Sequence, residues 1–250
     1  MPIHDFKSQR LFCNDSMEES GKRIWCTPLQ INYLFNVLRL KNGNIILIFN
    51  GRDGEWYARL NQQDKRTCSL ELISQNRPQT NGPDIQFLFA PLKRERLDYM
   101  VQKVTELGVA KIQPIYTKHT VANSINLKRI YDNVIKASQQ CGILRIPEIR
   151  KPEKLLECLN SWDAERILIF SDENADVSSP IRVLEEVRRG KIAVLVGPEG
   201  GFSDYERNFL LDQLYVRRIS LGPRIMRADT AAVAALALVN AVIGDWQNIS

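Results

Sequence analysis

From Ile85 onward, short apolar segments alternate with longer amphipathic ones, and this alternation restricts the possible folds more than any other feature. Strand-length apolar runs between helical patterns predict an α/β domain with a mostly parallel sheet. Parallel strands are buried on both faces, so their sequences read as continuous apolar runs. The predicted strands are Ile85–Ala90, Lys111–Tyr116, Arg166–Phe170, Ile192–Val196 and Val216–Leu221.

Helices are predicted between these strands. The clearest carries an apolar stripe from Leu97 to Leu107, and Gly108 provides its C-terminal stop. Ligands of such sheets bind beyond the carboxyl ends of the strands, which directs attention to the residues after Phe170, Val196 and Leu221. Further helices are predicted at residues 127–140, 152–160, 180–189, 204–214 and 229–243.

The first third of the chain has a different pattern, rich in short strands and turns. It predicts a small β-barrel over residues 1–74, then a polar linker over 75–84 that is rich in Pro, Asn and Gly. The α/β domain then occupies residues 85–250. The elements predicted in the barrel are strands Asn44–Asn50, Glu55–Leu60 and Leu70–Ser74, and a short helix Leu29–Leu38.

The composition fits a globular protein and narrows the possible partners. The net charge of +5, from 34 basic and 29 acidic residues, permits a polyanionic partner without requiring one. Five scattered cysteines without a C-x-x-C pair, and only two histidines, predict neither a disulfide framework nor a metal site. The N-terminus lacks an apolar signal core, and the apolar run Ala231–Val239 is too short to span a bilayer. We therefore expect a cytoplasmic protein with no membrane association.

Two loops near the C-terminus carry the candidate chemistry. Gly197–Gly201 follows the fourth predicted strand, and its glycines let a backbone approach a ligand closely. Ser203 and Glu206 then have the spacing of a helix-starting capping box. A site for a nucleotide-like ligand and a tight loop without any ligand both fit this pattern.

The segment Ser220–Thr230 follows the fifth predicted strand. Arg224 and Arg227 are suited to neutralising a phosphate or a developing anion, although a solvated loop has the same sequence. Asp229 and Thr230 are expected to cap the next helix. After the third strand, Ser171 and Asp172 offer groups for ribose hydroxyls, or form an ordinary polar loop.

Gly197–Glu206 and Leu221–Ala231 together resemble the two hallmark segments of the SPOUT methyltransferases. They are most similar to the RsmE family, which forms N3-methyluridine in 16S ribosomal RNA. Three residues depart from the family pattern: Met226 replaces the usual leucine, Asp229 the usual glutamate and Ile143 the usual arginine. The resemblance extends to Arg94–Val109, Gln140–Gly142, Arg145–Ile149, Arg10–Phe12 and Val37–Lys41.

The resemblance implies a parallel sheet tied in a deep trefoil knot, preceded by a PUA-like RNA-binding barrel. It also implies a homodimer without metal that uses S-adenosylmethionine to methylate 16S ribosomal RNA within the small subunit. The implied cofactor-binding residues are Ser171, Asp172, Gly197, Pro198, Glu199, Gly200, Ser220, Leu221, Gly222, Ile225, Met226, Arg227 and Thr230.

Catalysis by such a protein requires stabilising negative charge on the base and accepting its N3 proton. We expect Arg227 to supply the charge, with Arg10 second, and Glu199 or Asp229 to accept the proton. Basic residues of the first third are candidates for RNA contacts, although each also fits a solvated surface. These RNA-binding candidates are Lys7, Arg10, Lys22, Arg23, Arg39, Lys41 and, from the second domain, Arg145.

Three other functions remain open on the sequence. A ribose 2′-O-methyltransferase would also be a SPOUT methyltransferase, but the sequence of the Gly197–Ser203 loop and the N-terminal barrel argue against this function. An RNA-binding or ribosome-assembly protein with an inactive site is disfavoured by the intact glycines and Arg227. A dinucleotide-dependent oxidoreductase fits the α/β pattern but needs a G-x-G-x-x-G segment that this sequence lacks.

Overall fold

The computed structural model describes residues 8–122, 124–175 and 179–248, which form two compact units. The first contains the described residues up to Asn81 together with Ser138–Ile146; the second contains Gly82–Ala137 and the described residues from Pro147 onward. The predicted boundaries assign 138–146 to the second domain. The structure differs because this segment is hydrogen-bonded into the first unit, where Phe12 N donates to Gln139 Oε1 at 2.9 Å.

The first unit is a five-stranded sheet with the order β1-β3-β4-β5-β2. Strands β1 and β3 are parallel, and the other neighbours are antiparallel. Among the described strands no pairing joins the two outer strands, so the ladder is an open sheet rather than a closed ring. The strands are β1 Arg10–Phe12, β2 Arg23–Trp25, β3 Ile45–Phe49, β4 Glu55–Gln62 and β5 Cys68–Arg77.

The predicted central strands of this sheet are confirmed, but their limits move. Strand β5 extends to Arg77 and therefore includes the first residues of the predicted linker. The outer strands β1 and β2 were not predicted, because three residues are too few to show an alternating pattern. The predicted Leu29–Leu38 helix is a short α-helix, α1 Pro28–Asn32, continued by a π-helical turn at Tyr33–Val37.

The second unit is built on a parallel sheet with the order β12-β10-β11-β6-β7-β8, and β9 adds to β7. Every pairing in it is parallel, which confirms the predicted α/β class. The two-residue strands β8 and β9 were not predicted. The strands are β6 Ile85–Phe89, β7 Lys111–Tyr116, β8 Glu148–Ile149, β9 Glu153–Lys154, β10 Ile167–Ser171, β11 Ile192–Val196 and β12 Val216–Ile219.

The helices lie close to their predicted positions, although several are shorter. The predicted 180–189 and 204–214 helices end at Glu185 and Leu211, and the 152–160 helix begins at Leu155 after β9. Among the described residues, no helix is both long and apolar enough to cross a membrane. The helices are α2 Arg94–Glu106, α3 Leu127–Cys141, α4 Leu155–Asn160, α5 Pro180–Glu185, α6 Asp204–Leu211 and α7 Ala228–Val242, followed by a 3-10 turn at Asp245–Asn248.

Helices cover both faces of the second sheet. On one face Phe170 and Leu195 pack against Leu159 of α4 and Leu210 of α6. On the other face α7 contacts β11 and also packs against α2 and α5. Each large apolar side chain buried in this way contributes about 1.5–3 kcal/mol of transfer free energy. Because helices cover both faces, the ends of the strands are the part of this sheet that a ligand can reach.

Candidate active site

Three loops meet at the carboxyl edge of the parallel sheet. Strand β10 lies between β12 and β11, with Phe170 paired to Leu195 on one side and Arg218 on the other. The residues at the ends of these strands and directly after them therefore share one edge, and they are Ser171–Asp172, Gly197–Gly201 and Ser220–Arg227. The sequence analysis predicted a ligand site at the ends of the same three strands.

The Gly197–Gly201 loop is a tight turn that packs against the Phe202 ring. Gly201 N donates to Pro198 O at 2.9 Å, and Gly201 has a φ of 69°. A Cβ on Gly197 would lie 2.5 Å from the Phe202 ring, which packs edge-on against Phe170 at 5.2 Å. A side chain at position 197 would therefore displace Phe202.

Helix α6 starts directly after this loop, as predicted. Ser203 is its N-cap and forms a capping box with Glu206. The Glu206 carboxylate is buried and also accepts from Lys118 N at 2.8 Å, at the carboxyl end of β7. The same segment brings His119 Nδ1 within 3.2 Å of Gly200 O and 3.1 Å of Gly201 O. Neither His119 nor its neighbours were singled out by the sequence patterns.

Glu199 lies on the exposed side of the glycine loop. Its carboxylate accepts a hydrogen bond and forms an ion pair with Arg96 of α2, and the Glu199 side chain remains 45% exposed. The sequence patterns did not indicate Arg96, because the two residues are 103 positions apart. An accessible carboxylate beside the loop is compatible with the predicted role of proton acceptor.

Asp172 serves the protein scaffold rather than an open loop. Its side chain is 3% exposed and receives Arg207 Nη2 at 2.8 Å, with Arg218 Nη1 at 3.7 Å. Asn174 N also donates to this carboxylate at 3.1 Å. These contacts join the end of β10 to α6 and β12, and the ribose contact of Asp172 stays a prediction.

Ser171 and Ser220 differ in how their hydroxyls are used. The Ser171 Oγ is buried and has no hydrogen-bond partner among the described residues. The Ser220 Oγ accepts from Gly222 N at 3.3 Å, and Gly222 has a φ of 106° that favours glycine. A buried polar atom without a partner at a strand end is suited to a ligand that hydrogen-bonds there.

The start of α7 differs from the prediction. The N-cap is Arg227, whose backbone is extended, and the helix begins at Ala228. Asp229 and Thr230 therefore lie within the first turn, where Asp229 Oδ1 accepts from Thr230 N at 3.0 Å. The carboxylate still neutralises a helix N-terminus, although from inside the helix.

The segment between β12 and α7 is largely open to solvent. Arg224 and Arg227 are exposed, whereas Leu221 and Met226 are half-buried. The Ile225 side chain is 104% exposed, so within this chain it does not lie in an enclosed pocket. The exposed arginines keep their positive charge accessible at the carboxyl edge.

Arg10 is not accessible, and its predicted role in RNA contact and catalysis is corrected. Its side chain is buried in the first unit, where Arg10 Nε donates to Glu55 Oε1 at 2.9 Å. Gly142 lies against the same guanidinium, since a Cβ there would be 3.2 Å from Arg10 Cζ. Arg10 thus holds the 138–146 segment on the sheet instead of facing a ligand.

The other predicted RNA-binding residues are more accessible. Arg23, Arg39 and Lys41 are exposed, and Arg39 has a positive φ of 54°. Lys22 is half-buried and donates to Ser16 Oγ at 2.5 Å, and Arg145 is half-buried. Lys7 lies outside the described residues.

The described residues contain no group of three or more His, Cys, Asp or Glu side chains that could hold a metal ion. The polar groups at the carboxyl edge are instead glycine-loop backbone, hydroxyls, arginines and the Glu199 carboxylate. Such groups suit an organic ligand with hydrogen-bonding edges and an anionic partner.

Comparison with known proteins identifies the family. Residues 80–240 match the family model described as an RNA methyltransferase domain, and residues 30–73 match an RNA methyltransferase PUA domain. The ribosomal RNA small subunit methyltransferase E of Rickettsia conorii is 30% identical over 234 residues, which cover 93% of this chain and 95% of the relative. The protein of the same name from Buchnera aphidicola subsp. Schizaphis graminum is 28% identical over 86% of this chain and 88% of its own.

A solved structure is similar over almost the whole chain. The crystal structure of a ribosomal RNA small subunit methyltransferase E from Neisseria gonorrhoeae, bound to S-adenosyl methionine, has a TM-score of 0.82. It is 26% identical in sequence and covers 96% of this chain and 99% of that chain. The present chain belongs to the ribosomal RNA small subunit methyltransferase E family.

Proposed function

We propose that this protein transfers a methyl group from S-adenosylmethionine to N3 of a uridine in 16S ribosomal RNA. The observation that carries the proposal is the meeting of the Gly197–Gly201 and Ser220–Arg227 loops at one edge of the parallel sheet. The family of the chain gives this edge its chemistry, since the Neisseria gonorrhoeae relative was crystallised with S-adenosyl methionine.

The residues of the carboxyl edge fit such a cofactor. The Phe202 ring packs directly against Gly197 and leaves no room for a Cβ there, which restrains the loop backbone, and Ser171 Oγ is a buried hydroxyl without a partner among the described residues. These features support a pocket formed mainly by backbone groups of the two loops and by Ser171. Asp172 would act on the pocket indirectly, through the contacts that fix α6 and β12. The deep trefoil knot expected for this sheet belongs to the same proposal.

The bound cofactor would supply a methyl group on a positively charged sulfonium. Uracil N3 attacks well only after its proton leaves, so negative charge develops on the base. The exposed Arg227 guanidinium is suited to stabilising that charge. Glu199 would accept the N3 proton, with Asp229 as the alternative, while the S–CH₃ bond breaks and the N–CH₃ bond forms.

The first unit would hold the RNA as a PUA-like domain. On strand β2 the exposed Arg23 and Trp25 flank the buried Ile24, so a cation and an aromatic ring share one accessible face. A cation binds phosphate, and an exposed ring stacks on an unpaired base. Arg39, Lys41, Lys22 and Arg145 would add phosphate contacts, and the affinity for RNA should fall steeply with salt.

We also propose that the protein acts on the small ribosomal subunit as a cytoplasmic homodimer. The full exposure of Ile225 beside the proposed pocket supports a second copy, because an apolar side chain there would gain from being covered.

The deciding experiment incubates the purified protein with labelled S-adenosylmethionine and small ribosomal subunits that lack the modification. The RNA is then digested and the labelled nucleoside identified. N3-methyluridine is the expected product. A ribose-methylated nucleoside would overturn the proposed target atom, and cofactor binding without any product on 16S RNA would overturn the proposed substrate.

A further inference from the structure

We infer that His119 is a positioning residue that fixes the backbone of the Gly197–Gly201 loop for cofactor binding. The inference rests on the proposed function of that loop. It assigns a role to one of the two histidines in the chain, neither of which takes part in the chemistry described above.

The His119 ring contacts two successive carbonyls of the glycine loop. Its Nδ1 lies 3.2 Å from Gly200 O and 3.1 Å from Gly201 O. Both partners can only accept, so Nδ1 must carry a proton and donate a hydrogen bond shared between them. Both the Nδ1-protonated neutral ring and the imidazolium satisfy this requirement.

A compact turn holds His119 in place at the end of β7. Thr117 N donates to Thr120 Oγ1 at 2.8 Å, and Thr120 N donates to Thr117 O at 3.2 Å. The two threonine hydroxyls also lie 2.9 Å apart. These bonds close the turn whose backbone carries His119.

The same turn is bonded to the start of α6. Lys118 N donates to Glu206 Oε1 at 2.8 Å, while Glu206 Oε2 accepts from Ser203 N at 3.0 Å. The turn therefore contacts the loop through His119 and the helix after the loop through Lys118. Gly200 lies close to the histidine, since a Cβ on it would be 3.3 Å from His119 Cβ.

The consequence concerns the peptide planes of the loop. Glycine residues have the widest choice of backbone conformations, so a glycine-rich loop pays a large entropic cost when a ligand orders it. Hydrogen bonds to the carbonyls of Gly200 and Gly201 restrict the orientation of both following peptide groups. Losing them should weaken cofactor binding without touching the reacting atoms.

Three substitutions of His119 test whether its hydrogen bond to the loop carbonyls is what matters. His119→Asn keeps a donor nitrogen the same number of bonds from Cα as Nδ1. His119→Gln moves the donor one bond further out, and His119→Leu removes it while keeping a branched side chain. Because His119 is exposed, the three variants should unfold at nearly the same temperature as the native protein.

The measurements are the Kd for S-adenosylmethionine by calorimetry, and kcat with both KM values in the RNA methylation assay. We expect His119→Leu and His119→Gln to raise the Kd and KM for S-adenosylmethionine about fivefold to tenfold. The kcat and the KM for RNA should stay within about twofold of native, and His119→Asn should behave like the native protein.

Native affinity in the Leu and Gln variants would overturn the inference, as would an Asn variant that loses as much as Leu. Thr120→Val provides an independent check, because it removes the acceptor of Thr117 N and should also raise the Kd. If native protein binds no S-adenosylmethionine, the proposed function fails and this inference fails with it. If native protein binds it and all variants match native, only the inference fails.

Discussion

Arg77 binds the buried Glu55 carboxylate with two hydrogen bonds, from Nε to Oε2 at 2.9 Å and from Nη2 to Oε1 at 2.9 Å. The Arg10 Nε donates to the same carboxylate at 2.9 Å. The Glu55 side chain is fully buried, so one negative charge offsets two buried guanidinium groups. Arg77 Nη2 also donates to Gly142 O at 2.8 Å, which joins the network to the 138–146 segment.

We expect Glu55→Gln to lower the free energy of unfolding by about 3–5 kcal/mol, because it removes the buried negative charge that both guanidinium groups contact. The measurement is urea denaturation. Glu18→Gln is the matched control: Glu18 is 72% exposed and lies 4.0 Å from Lys22, so its loss should cost under about 1 kcal/mol. Equal effects of the two substitutions would show that the buried network contributes no more than a surface pair.

The same network predicts how the stability depends on pH. Burial acts to raise the pKa of Glu55, but hydrogen bonds from Arg77, Asn76 and Arg10 outweigh burial and hold the pKa below its ordinary 4.5. A lowered pKa in the folded state stabilises the protein fully above the unfolded pKa, and the stabilisation is lost as the pH falls through the folded pKa. The difference in unfolding free energy between native protein and Glu55→Gln should therefore be constant from pH 7 to pH 4.5 and shrink below it. A difference that grows on acidification would contradict this prediction.

The parallel sheet could be predicted from the sequence because its strands are buried on both faces, so each strand is a continuous apolar run in the sequence. It also located the ends of β10, β11 and β12, since chain order and strand direction bring those ends to one edge. Strands β1 and β2 were not predicted, because three residues are too few to show the alternation of apolar and polar residues that is typical of a strand.

Side-chain roles at the site were harder to predict, because they depend on partners distant in sequence. Asp172 follows a strand like a ligand-binding acid, yet Arg207, 35 positions later, occupies its carboxylate. Arg10 has the local sequence of a surface cation, yet its side chain is buried against Glu55. The His119 contact with Gly200 spans 81 positions, and nothing in its local sequence distinguishes it from a loop histidine.

Asp172→Asn tests whether this residue supports the scaffold or binds the ribose. We expect a loss of about 1–3 kcal/mol in unfolding free energy, because Arg207 and Arg218 lose a buried anionic partner. Asp163→Asn is the control in the same unit: Asp163 is 42% exposed beside Lys191, and its change should cost under about 1 kcal/mol. A ribose ligand would instead give native stability together with weaker cofactor binding.

Arg227 is the residue whose charge we expect to act on the reacting base. Its side chain is exposed, and within the described chain it makes no capping hydrogen bond to α7, so Arg227→Gln should leave the fold intact. Removing a preorganised cation that stabilises developing charge should lower kcat about 10²–10³-fold, with the Kd for S-adenosylmethionine within about twofold of native.

Arg224→Gln provides the comparison, because Arg224 is equally exposed and lies three positions earlier in the same loop. A general positive field would make the two substitutions equivalent, whereas a directed contact makes Arg227 far more sensitive. We expect Arg224→Gln to lower kcat less than about tenfold. The measurement is single-turnover methylation of the small subunit with saturating cofactor, which removes product release from the rate. Equal losses in both variants would assign the charge stabilisation to the loop as a whole and not to Arg227.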